Sequence, residues 1–249
     1  MFEWSRTLTS GTFLFYTGAK DISDTVPHGS TNLAYHVPVA DYNPQDFKSA
    51  VTKNREELAQ LLKVSSVQYM SQTHGNRIAV FKGKERLSKA GVANTDALVF
   101  TGSGAAGAVM VADCVPVILF DDEAGVYAVA HAGRAGVLNG IVKKTIAKME
   151  NFGASAVSVV LGPSICADCY EVPKGLAKEC EAQIPGSTGK NTDNKFVFKL
   201  KDGIRIQLTE NETVKEIIDV NVCTLENENF FSYRRDNRAG RFIGGIKVA

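Results

Sequence analysis

Short runs of hydrophobic residues, separated by turns that contain Gly or Asp, dominate the middle of the chain. Each run is rich in Val, Leu, Ile, Phe or Ala and has the length of a typical strand. We predict strands over residues 77–81, 97–101, 108–112, 115–120 and 126–130. The middle of the chain is therefore the part in which strands are most strongly indicated.

Helical periodicity precedes and follows this region. Over residues 45–63, the apolar Val51, Leu58, Leu61 and Leu62 fall on one face and predict a helix. Further along, the pattern predicts helices over 137–150, 173–183 and 204–218, strands over 158–161 and 196–200, and a surface loop over 185–194. Strands and helices that are mixed in this way indicate a layered α/β fold.

The length and charge of the chain limit its class. A chain of 249 residues fits one large domain, residues 1–249, better than two. The net charge of +1, without a basic stripe, argues against a general nucleic-acid partner. The N-terminus lacks a signal-peptide pattern, and the apolar stretch 104–120 is short for a membrane span and contains Asp113. We therefore expect a cytoplasmic protein without a membrane partner.

Three residues with metal-binding side chains lie at predicted strand ends. His74 occurs in QTHG, Cys114 in VADCVP and His131 in AVAHAG. Two imidazoles and a thiolate suit zinc, and three protein ligands leave a fourth position open for chemistry. The separations of 40 and 17 residues are unlike those of a structural zinc finger. Taken alone, these residue types also fit hydrogen-bonded structural histidines and a small core cysteine.

The remaining cysteines indicate no disulfide framework. Five cysteines, an odd number, are spread along a chain without a signal peptide. Cys166 and Cys169 form a C-x-x-C motif, but no second C-x-x-C completes a zinc site, and a redox role is disfavoured. We expect Cys180 and Cys223 to be structural.

A glycine-rich segment, residues 102–107, matches the G-x-G-x-x-G pattern of dinucleotide-binding loops. That pattern carries its function only between a strand and a helix, and here a β-prone run follows. We predict a hairpin turn at this position.

Several short motifs occur in a fixed order along the chain. They are QTHGN (72–76), NTDALVF (94–100), VADCVPVILFD (111–121), AVAHAG (128–133), LGPSI (161–165), YEV (170–172) and VCT…FFSYRRD…GR (222–241). Together with Thr31-Asn32-Leu33 and Asn54-Arg55 they span nearly the whole chain. This order resembles the laccase-domain family, also called multicopper polyphenol oxidase-like proteins or peptidoglycan editing factors.

The resemblance implies a zinc site formed by His74, Cys114 and His131, and these ligand types would also accept copper. It also implies purine nucleoside phosphorylase activity on adenosine, inosine and methylthioadenosine, together with adenosine deaminase activity. The implied fold is an α/β (α+β) four-layer α-β-β-α sandwich with mixed β-sheets, similar to bacterial toxin deamidases that use a Cys–His pair. The implied partners are a nucleoside and phosphate.

The proposed chemistry suggests roles for further residues. Phosphorolysis needs phosphate near the sugar C1′, and the planar fork of arginine binds phosphate oxygens in pairs. Arg55, Arg235 and Arg241 are the candidates, because they lie in the matched segments. Deamination would need a zinc-activated water. Asp113, beside Cys114, is a candidate proton carrier or ligand orienter, with a turn residue as the alternative.

One departure from the family pattern affects substrate choice. The motif commonly continues as AHAGWRG or AHAGWKG, whereas this chain has Arg134 at the Trp position and Ala135 at the basic position. A guanidinium can stack on a base but does not replace the flat apolar wall of an indole. The metal ligands are unaffected.

Three other functions stay open on the sequence. A metal-free thiol amidase or deamidase would use Cys114 as nucleophile and His131 as base. A copper-dependent polyphenol oxidase is disfavoured, because several coppers require many histidines and the chain has four. A role as an editing factor in cell-wall synthesis is compatible with any of these activities.

Overall fold

The computed structural model describes residues 2–19, 32–37, 44–83 and 91–249. The strands in these residues are β1 (Phe2–Thr7), β2 (Phe13–Thr17), β3 (Ile78–Lys82), β4 (Ala97–Thr101), β5 (Ala106–Val111), β6 (Val115–Asp121), β7 (Val126–Ala132), β8 (Val157–Leu161), β9 (Thr188–Lys190), β10 (Phe196–Phe198), β11 (Val214–Asp219) and β12 (Phe242–Lys247). The helices are α1 (Pro44–Leu61), α2 (Arg134–Leu138), α3 (Ile141–Glu150), α4 (Lys174–Gln183) and α5 (Leu200–Leu208).

Two large sheets form the centre of the molecule. The six-stranded sheet has the order β11-β8-β6-β7-β4-β3 and is mixed, because its two outer pairs are parallel and its inner pairs antiparallel. The four-stranded sheet has the order β1-β2-β12-β5 and is antiparallel throughout. Strands β9 and β10 form a separate antiparallel pair.

Three hydrophobic cores separate four layers. Side chains alternate along a strand, so in β6 Val117 and Leu119 face one core and Ile118 faces another. The first core lies between the six-stranded sheet and helices α2 to α5, and the second lies between the two sheets. The third core packs Phe15 of the four-stranded sheet against Leu58 of α1. This arrangement confirms the expected α-β-β-α sandwich.

The predicted helix over 204–218 is wrong in its second half. Helix α5 ends at Leu208, and Val214–Asp219 form β11, an edge strand parallel to β8. Val214, Ile217 and Ile218 have the i, i+3, i+4 spacing of a helical face. These residues form a strand because they pair with β8, and the hydrophobic period of a sequence carries no information about such pairing.

Two further predictions need correction in detail. The predicted helix over 137–150 is two helices, α2 and α3, because Gly140 between them adopts the left-handed conformation with φ 69°. The predicted loop over 185–194 contains the short strand β9, which pairs with β10.

The strands β1, β2 and β12 were not predicted.

The glycine-rich segment 102–107 is not a hairpin turn. Strands β4 and β5, which it joins, lie in different sheets, so the turn carries the chain from one sheet to the other. Gly102 and Gly104 both have φ 83°, a conformation that favours glycine. Gly107 lies against the ring of Phe100 with no space for a Cβ.

None of the helices in the described ranges combines the length and the hydropathy needed to cross a bilayer.

Candidate metal centre and active-site cavity

The side chains of His74, Cys114 and His131 converge at one end of the six-stranded sheet. Their potential ligand atoms all lie within 4.8 Å of one another, and Cys114 Sγ is 3.8 Å from His74 Nε2. The register of β6 and β7, in which Val115 pairs with Ala132, brings Cys114 alongside His131. His74 reaches the cluster from the loop before β3, where it adopts φ 58°.

Asp96, directly before β4, organises two of these three residues. Its buried carboxylate accepts the backbone N–H groups of Thr73, His74 and Gly75, which hold the His74 loop in place. It also accepts His131 Nδ1–H at 2.9 Å. Because a carboxylate only accepts, Nδ1 of His131 carries a proton whether the ring is neutral or charged, so the neutral ring would present Nε2 to a ligand.

The same contacts determine the charges of the cluster. Burial acts to raise the pKa of Asp96, but hydrogen bonds from His131, Gly75 and Thr73 outweigh it and lower that pKa to about 2. Burial acts to raise the pKa of Cys114, but the charge and hydrogen bond of His131, then those of His74, lower it to about 6. Burial acts to lower the pKa of His131, whereas Cys114 and Asp96 raise it to about 9. The metal-free cluster is therefore a thiolate–imidazolium pair at neutral pH.

The donor set and its surroundings fit a divalent metal. A divalent metal would bind a thiolate and neutral imidazoles, so Cys114 would offer a sulfur that is already ionised and His131 would release the proton that it shares with that sulfur. Gly133 packs directly against the side chains of Cys114 and His74. A Cβ at this position would lie 2.7 Å from Cys114 Sγ and 2.8 Å from His74 Cδ2. The carboxylate–histidine pair of Asp96 and His131 is the outer-shell arrangement that orients metal ligands in proteins.

A cavity of about 360 Å³ opens over the three candidate ligands, within the usual size range of small-molecule sites. Its walls combine aromatic rings with guanidinium groups. The residues that provide these rings and guanidinium groups are Arg134, Tyr170, Tyr233, Arg234 and Arg241. The cavity therefore offers flat surfaces for a base and positive charge for an anion.

Arg241 lines this cavity, whereas Arg55 and Arg235 do not. Arg241 donates to the carbonyls of Ala239 and Gly240 through Nη1. The guanidinium of Arg55 lies over the rings of Tyr35 and Tyr69, with centroid distances of 4.2 and 3.9 Å, and Nε donates to Leu33 O.

Arg235 uses both of its terminal nitrogens within its own loop. Nη1 donates to the carbonyls of Thr224 and Leu225, and Nη2 donates to Phe230 O. These contacts favour a structural role for Arg55 and Arg235, without a direct contact to phosphate.

Asp113 lies beside Cys114 in a turn with φ 88° and lines the cavity. Its Oδ1 accepts Thr224 Oγ1–H at 2.7 Å, and its Oδ2 accepts Arg234 N–H at 2.7 Å. Both oxygens are thus used to hold the C-terminal segment that carries Arg234 and Arg241. This placement favours a turn and positioning residue over a proton carrier.

Sequence reasoning did not identify Asp96 or Tyr170 as site residues. Asp96 lies inside the quoted motif NTDALVF, directly before a strand, and this position was the available signal. Its role depends on the parallel and antiparallel neighbours of β4, which place the His74 loop and His131 on either side of it.

The chain that forms this cavity is similar in sequence to a known protein family and to several named proteins. The model of a family described as multi-copper polyphenol oxidoreductase laccase matches residues 12–249. A purine nucleoside phosphorylase of Corynebacterium glutamicum is 41% identical over 94% of this chain and 92% of its own length. One from Streptomyces coelicolor is 35% identical over 97% of both chains. One from Mycobacterium tuberculosis is 36% identical over 87% of this chain and 84% of its own length.

Solved structures show the same fold. A Neisseria meningitidis protein superposes with a TM-score of 0.82 at 29% identity, covering 99% of this chain and 97% of its own. The YlmD protein of Geobacillus stearothermophilus superposes with a TM-score of 0.80 at 26% identity, covering 96% of this chain and 92% of its own.

Proposed function

Because the chain belongs to the multi-copper polyphenol oxidoreductase laccase family, we propose that it is a metal-dependent purine nucleoside phosphorylase with adenosine deaminase activity. Its substrates would be inosine, adenosine and methylthioadenosine, and it would act in the cytoplasm. The observation that carries the proposal is a cavity with both metal ligands and arginines, in a chain 41% identical to a purine nucleoside phosphorylase.

His74, Cys114 and His131 would hold the metal, which we propose to be zinc. When bound, zinc supplies Lewis acidity that stabilises negative charge developing on a substrate atom. Asp96 holds His131 in the tautomer that presents Nε2. Gly133 leaves space for the sulfur of Cys114 and the ring of His74.

The cavity arginines and tyrosines would bind the substrates. Tyr170 and Tyr233 offer ring faces for the purine, and Arg241 offers a guanidinium group for phosphate near the sugar C1′. Asp113 acts by holding the backbone of Arg234. Arg134, in place of the family's usual Trp, adds a positive charge to the base-binding wall and is expected to narrow the range of nucleosides.

The proposal is tested by nucleoside turnover with and without phosphate, on protein whose metal content has been measured. Inosine should give hypoxanthine only when phosphate is present, and adenosine should give both adenine and inosine. Cys114→Ala should lose the metal of this cavity and both activities. Cys180→Ala, which removes a buried thiol outside the cluster, is the matched control and should keep them. Zinc-loaded protein that consumes no nucleoside would refute the substrate assignment.

The phosphate role of Arg241 has its own test. Removing one charged hydrogen-bonding partner costs about 1.5–3 kcal/mol, so Arg241→Gln should raise the KM for phosphate about 10- to 100-fold and change the KM for nucleoside much less. Arg238→Gln is the control, because Arg238 is exposed and pairs only at 3.8 Å with Asp236. Equal increases in both KM values would show that Arg241 supports the whole cavity instead.

A second candidate function is a thiol amidase or deamidase. The proximity of Cys114 to His131, which Asp96 orients, supports it, because this is the arrangement of nucleophile, base and orienting carboxylate in thiol hydrolases. Amide hydrolysis that resists chelators and is blocked by iodoacetamide would favour this candidate over the phosphorylase.

Copper is the alternative metal, since two imidazoles and one thiolate also suit copper. A multicopper oxidase needs several histidine-rich centres, whereas among the described residues only one candidate ligand cluster contains histidine. Oxygen uptake with a phenolic dye, before and after copper addition, tests this activity directly.

A further inference from the structure

A second cluster of ligand-type side chains lies away from the active-site cavity. Cys166, Cys169, Cys223 and Glu226 place their sulfur and carboxylate atoms all within 4.8 Å of one another. The C-x-x-C motif thus has a second pair after all, a C-x-x-E motif 57 residues away (223 − 166). Cys223, which we expected to be merely structural, completes the set.

Two similar turns present these four side chains. In one, Tyr170 N–H donates to Cys166 O at 3.1 Å, and in the other Asn227 N–H donates to Cys223 O at 3.0 Å. Each turn therefore projects residues i and i+3 to the same side. The turns are joined by a parallel bridge between Ser164 and Cys223, with Thr224 N–H donating to Ser164 O at 3.1 Å.

The four donors face one another across this junction. Cys166 N–H donates to Cys223 Sγ at 3.4 Å, and the Cys169 thiol donates to Glu226 Oε1 at 3.4 Å. A tetrahedral zinc with Zn–S bonds near 2.3 Å separates its sulfurs by about 3.8 Å. Small side-chain movements would bring the described cluster to that geometry.

We propose that Cys166, Cys169, Cys223 and Glu226 form a second, structural zinc site. Three soft thiolates select zinc over magnesium or calcium, and four protein ligands close the coordination sphere, which is the pattern of a structural site and not of a catalytic one. Three thiolates and one carboxylate give the loaded site a charge of −2. Partial exposure of the cluster and the nearby ammonium of Lys201 reduce the cost of this charge.

The site would clamp together two segments that build the active-site cavity. The first segment carries Ile165 and Tyr170, which line the cavity. The second carries Thr224, whose hydroxyl holds Asp113. Zinc at the clamp therefore stabilises the substrate-binding walls without taking part in the chemistry.

Metal stoichiometry after zinc loading and gel filtration tests the proposal. Wild-type protein should hold about two zinc ions per chain, and Cys166→Ser, Cys223→Ser and Cys114→Ala about one each, because each variant empties one of two independent sites. Cys180→Ala should keep both ions. One ion in the wild type and none in Cys114→Ala would overturn the proposal, whatever the nucleoside activity proves to be.

A measurement on the wild type covers the case in which the serine variants do not fold. Native zinc-loaded protein is alkylated with and without a chelator, and the modified cysteines are mapped by mass spectrometry. Cys166, Cys169 and Cys223 should be protected until the chelator is added. Equal alkylation in both samples, or a Cys166–Cys169 disulfide in protein kept under reducing conditions, would refute the site.

Discussion

Gly133 lies against two of the three candidate metal ligands, and this contact can be tested by a single methyl group. Its φ of −78° and ψ of 175° are open to any residue, so an alanine would meet no backbone strain. The added Cβ would instead push on Cys114 Sγ and the ring of His74.

We expect Gly133→Ala to weaken zinc binding at this centre. Overpacking of this kind costs about 1–3 kcal/mol, so the affinity should fall about 5- to 150-fold, as measured by competition with a chromophoric chelator. Gly175→Ala is the matched control, because a Cβ there meets nothing within 4 Å. Unchanged affinity in Gly133→Ala would mean that the metal does not use this geometry.

Asp96 offers a second test at the scale of one residue. Asparagine keeps the shape of the side chain, but its NH₂ group would face the N–H groups that now point at the carboxylate. Loss of such an outer partner lowers metal affinity about 10- to 100-fold, and we expect this for Asp96→Asn. The control Asp236→Asn changes a carboxylate in a weak surface pair. Full zinc affinity in Asp96→Asn would assign the carboxylate to loop stability alone.

Between elements, buried carboxylates join strands to loops. Asp121, at the end of β6, accepts the N–H of Ala124 in the turn to β7 and those of Ser155 and Ala156 before β8. Burial acts to raise the pKa of Asp121, but the hydrogen bonds from Ala124, Ala156 and Ser155 outweigh it and lower that pKa. One side chain thus holds three neighbouring strands of the large sheet together.

The lowered pKa makes this junction sensitive to acid. The stabilisation is fully present above the pKa of an unfolded aspartate, about 3.9, and is lost as the pH falls through the still lower folded value. We expect Asp121→Asn to lose about 1–3 kcal/mol of unfolding free energy at pH 7 and less at pH 3, where the wild type is itself losing this contribution. Denaturant titrations at both pH values measure the difference. A difference that is the same at both pH values would contradict the assignment.

Across the whole molecule, the two sheets share one core. Tyr16 of β2 lies fully buried between the sheets, and its hydroxyl donates towards Pro116 O and Val160 O of the large sheet at 3.3 and 3.2 Å. The ring of Trp4 in β1 lies 5.3 Å from that of Tyr16. The four-stranded sheet therefore packs on the six-stranded sheet along its whole width, including its edge strand β1.

We expect residues 1–249 to unfold as a single cooperative domain. The only Trp of the chain, Trp4, reports on the four-stranded sheet, whereas far-ultraviolet circular dichroism reports on all elements. For two-state unfolding of metal-saturated protein the two denaturation curves should coincide. A fluorescence transition that clearly precedes the circular dichroism transition would show that the smaller sheet unfolds separately.

The sequence by itself determined much of the local structure and pointed to the candidate metal ligands. The runs at β4, β6 and β7 and the face of α1 are strong local signals, and the ordered motifs pointed to His74, Cys114 and His131. These features depend on residues close together in the chain, or on letters that the family resemblance supplies.

Only the tertiary structure decided features that depend on which segments become neighbours. Pairing with β8 makes residues 214–219 a strand, and the crossing between sheets makes 102–107 a connection instead of a hairpin. The role of Asp96 and the meeting of Cys166 with Cys223 follow from the same cause. Long-range pairing leaves no period in a sequence, because the residues that it joins are separated by turns and whole elements.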